Sequence, residues 1–524
     1  MKRFLLAVLL SASAFTLNAQ PWQMVGPRAM GMGGAGVATA YGADAQYWNP
    51  AALKDTDQEI QNVLLSAGLQ METTKDVMNA LDNLNDLSDR YKNLSDKISY
   101  GGAPNAQDIS TLFEGLSDIS DLTKNNLGAV VGADAGLGIK IKNFAVSVRS
   151  LGTMGVTPVI DTVNVGLGNQ GGTAGLNISD STALPAETDS QRAAQILAQT
   201  ITDTNTLDAI NTLLQTNYAS AADMANAFIN TALGAGSSAQ EVLSAAQTAA
   251  SNLPNAADII QTAAQHNGGN GYEQNESRAM ADLGLFSEIA LGYAQEVIPG
   301  LQVGGNLKLI EGTIAQTGIL VLQDDKSLSD VASDAWDNKK TSAQLGVDLG
   351  AKVNLSRLTD REILFNPVIG LTARNINSPK FDRPGLPQGI PDAIAQSWQT
   401  GDYKLKPQIR AGIAIEPLRT LVLAADLDLT ENETAIANFK SRQLAIGAEW
   451  DFAKGKTFSL PLRAGINKNL AEADSSMYYT LGLGFKIARF QMELAGAISS
   501  ETAEVEGADV PASAGASFSL GFVF

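Results

Sequence analysis

From about residue 280 to the carboxy terminus, apolar and polar residues alternate with a period of two. In 301–309, LQVGGNLKL, the odd positions carry Leu301, Val303, Leu307 and Leu309, and the even positions Gln302, Asn306 and Lys308. An extended strand sends these sets to opposite faces. The pattern recurs in 403–415, where Tyr403, Leu405, Ile409, Ile413 and Ile415 oppose Lys404, Lys406, Gln408 and Arg410. It recurs in 421–429, where leucines oppose Asp426 and Asp428, and in 444–452, where Leu444, Ile446, Trp450 and Phe452 oppose Glu449 and Asp451. In 489–494, Phe490, Met492 and Leu494 oppose Arg489, Gln491 and Glu493.

A soluble sandwich also alternates. Here, however, the polar faces carry full charges of both signs, strand after strand, and frequent glycine (Gly447, Gly482, Gly484). The connectors also alternate in length. Short turns fall at Lys142-Asn143, Pro299-Gly300, 416–419, 453–456 and 487–489, and longer connectors fall between them. This predicts an all-β transmembrane antiparallel β-barrel of about 14 strands. The strands are expected near 59–70, 126–142, 144–155, 281–297, 301–318, 341–356, 363–375, 403–416, 419–430, 438–453, 457–467, 477–487, 489–499 and 513–524. Strand parity places Lys404, Arg410, Asp426, Asp428, Glu449, Asp451 and Arg463 in the lumen, and Leu405, Leu427, Ile446 and Phe490 against lipid. The chain ends SFSLGFVF. Phe524 closes an alternating strand and is the expected signal to the barrel assembly machinery.

Two stretches break the period. In 72–124, Val77, Leu81, Leu84, Leu87, Tyr91, Leu94 and Ile98 recur at spacings of three and four, an amphipathic helix, and 107–124 resumes the pattern. The second stretch, 156–279, opens as glycine- and threonine-rich loop. It then becomes, over 190–266, rich in alanine, glutamine, asparagine and threonine, with Ser238-x-x-Glu241 as a capping box. Both insertions follow odd strands, so parity puts them on the external side, as a cap of packed helices or as a receptor surface.

Residues 1–19 read as a secretory signal peptide: Lys2 and Arg3, an apolar run from Phe4 to Phe15, and a small residue at Ala19. No later stretch is apolar for long enough to form a spanning helix. Net charge is −19, which excludes a nucleic-acid partner. There is no cysteine and one histidine, His266, at the end of a helical run. No thiolate site, histidine metal site or Ser-His-Asp constellation can be assembled. No catalytic residue, metal or cofactor is therefore expected. Paired carboxylates such as Asp426/Asp428 and Glu449/Asp451 read as lumen charges rather than a glycosidase pair.

Residues 26–53, GPRAMGMGGAGVATAYGADAQYWNPAAL, contain Gly31-x-Gly33-x-x-Gly36. That is the spacing of a dinucleotide fingerprint, but no strand precedes it and no βαβ pattern follows. The expected role of 20–58 is a luminal hatch, with barrel 59–524 around it. Small residues (Gly31, Gly33, Gly34) would allow close packing in a crowded lumen. Arg28 would meet inward carboxylates such as Asp426 or Glu449. Asn49-Pro50 would turn the chain toward the first strand, and Trp48 would seal the lower rim.

The pattern R-A-M-G-M-G-G-A…YWNPAAL resembles the N-terminal hatch signature of the FadL-like superfamily, the long-chain fatty acid transporters and relatives. The stretches EIALGYAQEVIPGLQVGGNLKLIEG, QLGVDLGAKVNL and TARNINSPKF are similar to one branch of it, the conjugal transfer TraF-like outer-membrane proteins. The resemblance spans about 22–155 and 280–524. It implies a fourteen-strand barrel in the bacterial outer membrane and an Asn-Pro-Ala turn at Asn49, Pro50 and Ala51. It also implies passive passage of hydrophobic, fatty-acid-like molecules through a protein expected to be a monomer in outer-membrane lipid. A separate conjugation protein called TraF is thioredoxin-like; without cysteine, no redox role carries over. A conjugation-linked or surface-interaction protein, with the barrel as an anchor for the helical cap, stays open as the second expectation.

Overall fold

The computed structural model describes residues 22–54, 62–74, 103–124, 128–164, 178, 183–266, 275–320, 333, 335–385, 401–436, 439–453, 455, 457–473, 475–505 and 508–524. The signal-peptide stretch and the first predicted helix over 77–98 lie outside the described residues.

The period of two closes into a cylinder. Fourteen strands pair antiparallel, each with its sequence neighbours. They are β1 (Asn62–Thr73), β2 (Ala129–Ile141), β3 (Phe144–Val159), β4 (Arg278–Ile298), β5 (Leu301–Leu320), β6 (Lys340–Asn354) and β7 (Val368–Arg374). Then follow β8 (Gln408–Leu418), β9 (Leu421–Asp428), β10 (Gln443–Asp451), β11 (Pro461–Asn469), β12 (Met477–Ile487), β13 (Phe490–Ser499) and β14 (Ala514–Val523). β14 returns to β1, from Asn62↔Val523 to Met71↔Ala514, so no edge is left unpaired.

The two faces are distributed inside out relative to a water-soluble protein. Leu291, Leu307, Leu345 and Leu481 are 53–71% exposed, while Lys308, Arg410 and Asp428 on neighbouring strands are at most 1% exposed. An apolar outward band with a polar interior is the arrangement of a membrane-spanning barrel of outer-membrane type. No described helix is long and apolar enough to cross a membrane.

Short turns gather at one end of the cylinder: Lys142-Asn143, Pro299-Gly300, Arg419-Thr420 and Ala488-Arg489. The other end carries the long connectors. From two of these, β1–β2 and β3–β4, come helices outside the barrel: α3 (Ala106–Lys124), α4 (Thr188–Thr200), α5 (Thr204–Leu214), α6 (Ala221–Gly234) and α7 (Ala239–Gln265); α1 and α2 precede the barrel and are described below. Their apolar stripes bury one shared core, including Leu116, Leu197, Met224, Phe228, Val242, Leu253 and Ile260. Helices from two separate insertions therefore form one bundle. Caps fix their starts: Asp203 accepts from Asn205 N, and Ser238 and Glu241 form a reciprocal capping box. His266 ends α7, exposed, its Nδ1 2.9 Å from the Thr262 carbonyl oxygen.

Three strand expectations need correction. The strand expected at 403–416 starts at Gln408. Tyr403–Lys404 instead pairs with Lys380–Phe381 as a separate two-stranded arm. Pro407 has no N–H to give to a ladder, and the alternation slips by one residue there. As a result Lys404 is exposed rather than luminal, and Leu405 is buried rather than facing lipid. The strand expected at 363–375 starts at Val368, because Asn354 caps a short helix, Leu355–Thr359, in the β6–β7 connector. The strand expected at 438–453 is β10 plus a detached pair, Asn432–Glu433 with Lys440–Ser441.

Candidate functional site

Residues 22–54 carry no strand. They form two short helices, α1 (Pro27–Gly31) and α2 (Ala45–Trp48), and short 3-10 turns at Gly42–Asp44 and Pro50–Leu53. Nearly every residue is buried, and the segment touches the inward faces of all fourteen strands.

Its glycines are where the wall comes closest. A Cβ on Gly31 would lie 2.9 Å from the Cα of Gly482 on β12. Gly33 has φ +69, and a Cβ there would lie 2.4 Å from the Ile466 carbonyl oxygen. Gly34 is also left-handed, with φ +95. Gly36 lies flat on the Trp48 ring, where a Cβ would come within 2.3 Å. The dinucleotide-like spacing is thus a packing pattern, not a phosphate cradle.

Polar contacts hold the segment. Arg28 makes a two-pronged ion pair with Glu449 on β10, Nε at 2.8 Å and Nη2 at 2.9 Å, and its Nη1 donates to the Thr39 carbonyl at 2.6 Å. Arg463 on β11 joins Glu449 (2.6 Å) to Glu493 on β13 (2.8 Å). Asp426 does not meet Arg28. Its Oδ2 accepts from the backbone N–H groups of Gly36 and Val37, each at 2.8 Å. Arg410 holds Asp428 at 2.5 Å and donates to the Gly34 carbonyl at 3.3 Å. Thr480 bonds Gly31 and Gly33, and Asn467 donates to the Gly33 carbonyl at 2.8 Å. Asp44 faces Arg149 at 3.4 Å; burial pushes its carboxyl up to about 6, against the pull of Arg149. Asp451 is turned to the short-turn end, accepting from Ser459 Oγ at 2.6 Å and from Leu460 N at 3.1 Å.

Trp48 is not at the rim. It is 2% exposed, its indole N–H donates to the Val25 carbonyl at 2.9 Å, and it packs with Trp22 and Tyr47. Arg374 lies 4.1 Å over Tyr47, and Arg410 lies 4.8 Å over Trp22. The parity reading passed over this aromatic cluster, and did not count Arg149, Glu288, Lys308, Asp348 and Arg374 among the luminal charges. The last four form a buried network in which Lys308 lies 3.0 Å from Asp348 and 3.4 Å from Glu288, and Arg374 lies 3.9 Å from Glu288. Their positions, Lys308 among Gln302 and Asn306 for example, carry the same alternation that marked the others.

Asn49 stitches the segment to the wall. Its Nδ2 donates to the carbonyls of Val37 (3.1 Å) and Ala351 on β6 (3.0 Å), and its Oδ1 caps Pro50–Leu53 through Ala51 N at 3.1 Å. Asn49→Ala leaves these buried groups without partners. It should cost about 2–4 kcal/mol, seen as faster protease cleavage within 22–54 in membrane-inserted protein. Cleavage at the wild-type rate would mean the three bonds do not anchor the segment.

A cavity of 470 Å³ opens at the short-turn end beneath the segment, lined by Arg28, Tyr41, Lys352, Glu416, Lys486 and Glu493 among others. Among the described residues no group of three or more potential metal ligands exists, and the chain has no cysteine.

The sequence profile of a family described as F plasmid transfer operon, TraF, protein matches residues 46–428, more than half of the 524-residue chain. The chain belongs to this TraF family. Among solved structures, the TraF-family chain is similar to the Ralstonia pickettii toluene transporter TbuX, at 11% identity over 95% of this chain and 98% of that one, with a TM-score of 0.40. It is similar to the P. putida toluene transporter TodX (9% identity, 95% and 98% covered, TM-score 0.39) and to a Pseudomonas aeruginosa FadL homologue (10%, 97% and 99%, 0.37). No curated protein matches the chain.

Proposed function

We propose that residues 22–54 are a luminal hatch, and that the protein is a gated outer-membrane channel for passive passage of small hydrophobic molecules. The observation that carries this is the change of lining along the lumen. At the level of the hatch the inward residues are charged. Toward the long connectors apolar side chains join the lining: Phe286 comes before Glu288 on β4, Ile310 and Ile314 come beyond Lys308 on β5, and Val130 comes before Asp134 on β2, although Asp282 and Gln316 keep a polar pair there. Phe381, Tyr403 and Leu405 from the β7–β8 arm close over the first three, and Ile436 and Phe439 from the β9–β10 connector close over Val130. A lumen that held only water would be polar throughout. An apolar approach above a hatch fastened by polar bonds suits a molecule that leaves water early and then displaces the hatch. In this reading the long connectors and helical bundle face outward, the short turns face the periplasm, and Phe524, exposed at the end of β14, is the assembly signal.

The test is uptake of N-phenyl-1-naphthylamine, a neutral dye that fluoresces in apolar surroundings, by intact cells with and without the protein. The channel predicts faster uptake with it; equal rates contradict the reading. The independent core of the α3–α7 bundle favours a second reading, in which the barrel anchors a surface module. In that case dye uptake is unchanged.

A further inference from the structure

We infer that the connector between β6 and β7, residues 355–367, is an interfacial foot. It lies in the headgroup layer of the membrane, against zwitterionic phospholipid, and anchors a sector of the barrel whose strands carry no aromatic anchor. The inference rests on the membrane-spanning barrel and not on the channel reading. Aromatic side chains on the outer face of such a barrel gather at the two levels where lipid meets water. At the short-turn end they come from β3 and β4, where Phe144 and Tyr293 lie 4.7 Å apart. They come from β10, whose Trp450 lies 5.6 Å from the following Phe452. They come also from β13 and β14, where Phe490 pairs with Phe522 and both are exposed. The widest interval runs from β5 to β9, five consecutive strands without a single Phe, Tyr or Trp.

The connector joins the second and third of these strands. Most turns at this end are two residues long, whereas this one runs from the short helix Leu355–Thr359 through a loop to Pro367. Leu364, 75% exposed, is the most exposed large apolar side chain among the described residues, and Leu358 and Phe365 are exposed too. So are Val297 and Ile298 at the end of β4 and Leu418 at the end of β8, which makes the patch a continuation of the wall's outward apolar band. The loop is well fastened. Asn354 caps its helix through Arg357 N at 3.1 Å, and Leu355 N donates to the Pro367 carbonyl at 3.0 Å. Ile363 N donates to Ser356 Oγ at 3.3 Å, and Glu416 N on β8 donates to the Phe365 carbonyl at 2.8 Å. Phe365 is held at φ +64, a conformation that a bulky side chain rarely takes. Two requirements set the depth of this loop. Irregular backbone is not tolerated facing hydrocarbon, where its polar groups find no water. Leucine and phenylalanine side chains fixed outward are unfavourable in bulk water. The headgroup layer meets both requirements. Within 355–367, Arg357 and Arg361 stand against Asp360 and Glu362. The connector therefore has no excess of positive charge, and it fits a zwitterionic surface without requiring an anionic one.

Because the chain has no cysteine, one introduced at a time carries a single nitrobenzoxadiazole probe. The full-length protein labelled at Leu364→Cys is reconstituted in phosphatidylcholine vesicles. Asp208→Cys, exposed on α5, serves as the water control, and Leu481→Cys, exposed on the outer face of β12, as the hydrocarbon control. The probe at position 364 should emit to the blue of that at 208. Iodide, present on both sides of the bilayer, should lose most of the quenching it shows at 208. A lipid with its nitroxide near the headgroup should quench position 364 more strongly than one with its nitroxide at the chain end. Adding phosphatidylglycerol should leave all these readings unchanged. If Leu364→Cys does not insert, the probe at Leu358→Cys reads the same layer. Emission and iodide quenching equal to those at 208 would place the connector in water and overturn the foot. A nitroxide profile equal to that at 481 would place it in hydrocarbon and overturn it as well. Shielding from iodide that appears only with phosphatidylglycerol would contradict the zwitterionic partner.

Discussion

Gly33→Val should expel the hatch from the lumen while the barrel still inserts. At φ +69 a valine backbone is strained by about 1–3 kcal/mol. Its Cβ would also stand 2.4 Å from the Ile466 carbonyl oxygen and 3.0 Å from that of Ile446. Both atoms are backbone in the β10–β11 ladder, paired at Ile446↔Ile466, so neither can give way without opening the sheet. Overpacking of this kind adds about 1–3 kcal/mol or more. A docked segment is a local unit, released at less than the cost of global unfolding. The wall is made by strand pairing that does not involve residue 33, so heat-modifiable mobility should stay near wild type. Uptake of small polar antibiotics should rise severalfold, and proteases reaching the short-turn end should cut within 22–54. A correctly inserted Gly33→Val protein as tight as wild type would show that the hatch is not the barrier.

Arg410→Ala should be among the most destabilising single changes in the wall. The side chain is buried with Asp428 0% exposed at 2.5 Å, and it stacks on Trp22. Removing it leaves Asp428 and Asp426 buried without their cation. Breaking a buried pair from one side costs about 3–5 kcal/mol. The temperature at which the folded, heat-modifiable band converts to the unfolded one should fall by several degrees. Arg410→Ala/Asp428→Ala should recover part of the loss, because the orphaned charge goes with its partner. No recovery would assign the effect to the Trp22 stack instead.

The barrel was legible because lipid outside and water inside force a period of two on every strand, and that period survives in a single sequence. It gave strands β2, β4, β5, β12 and β13 to within a few residues. It failed where the chain leaves the sheet: at Pro407, which moved Lys404 from the lumen to the surface, and at the cap on Asn354. Within the lumen, parity names which charges share a face but not which of them meet. It offered both Asp426 and Glu449 to Arg28. The choice depends on where α1 lies against β12, which is set by Gly31 approaching Gly482, a contact between residues 451 positions apart in sequence. The aromatic cluster of Trp22, Tyr47 and Trp48 left no periodic trace, because residues 22–54 form only single helical turns, too short to impose one. The joining of two insertions into one bundle was equally invisible, since each helix shows only its own apolar stripe.

The hatch's part in passage is tested most directly by locking it. The chain has no cysteine, so an introduced pair is free of competitors. Ala43, in the hatch, has its Cβ 2.9 Å from where a Cβ on Gly138 of β2 would stand. A disulfide needs a Cβ separation of about 3.5–4.5 Å, reached by a small outward shift. In Ala43→Cys/Gly138→Cys, uptake of N-phenyl-1-naphthylamine should fall to the level of cells lacking the protein when the bond is oxidised, and return on reduction. Uptake that is the same in the fully cross-linked and the reduced protein would contradict a moving hatch and the gated channel built on it.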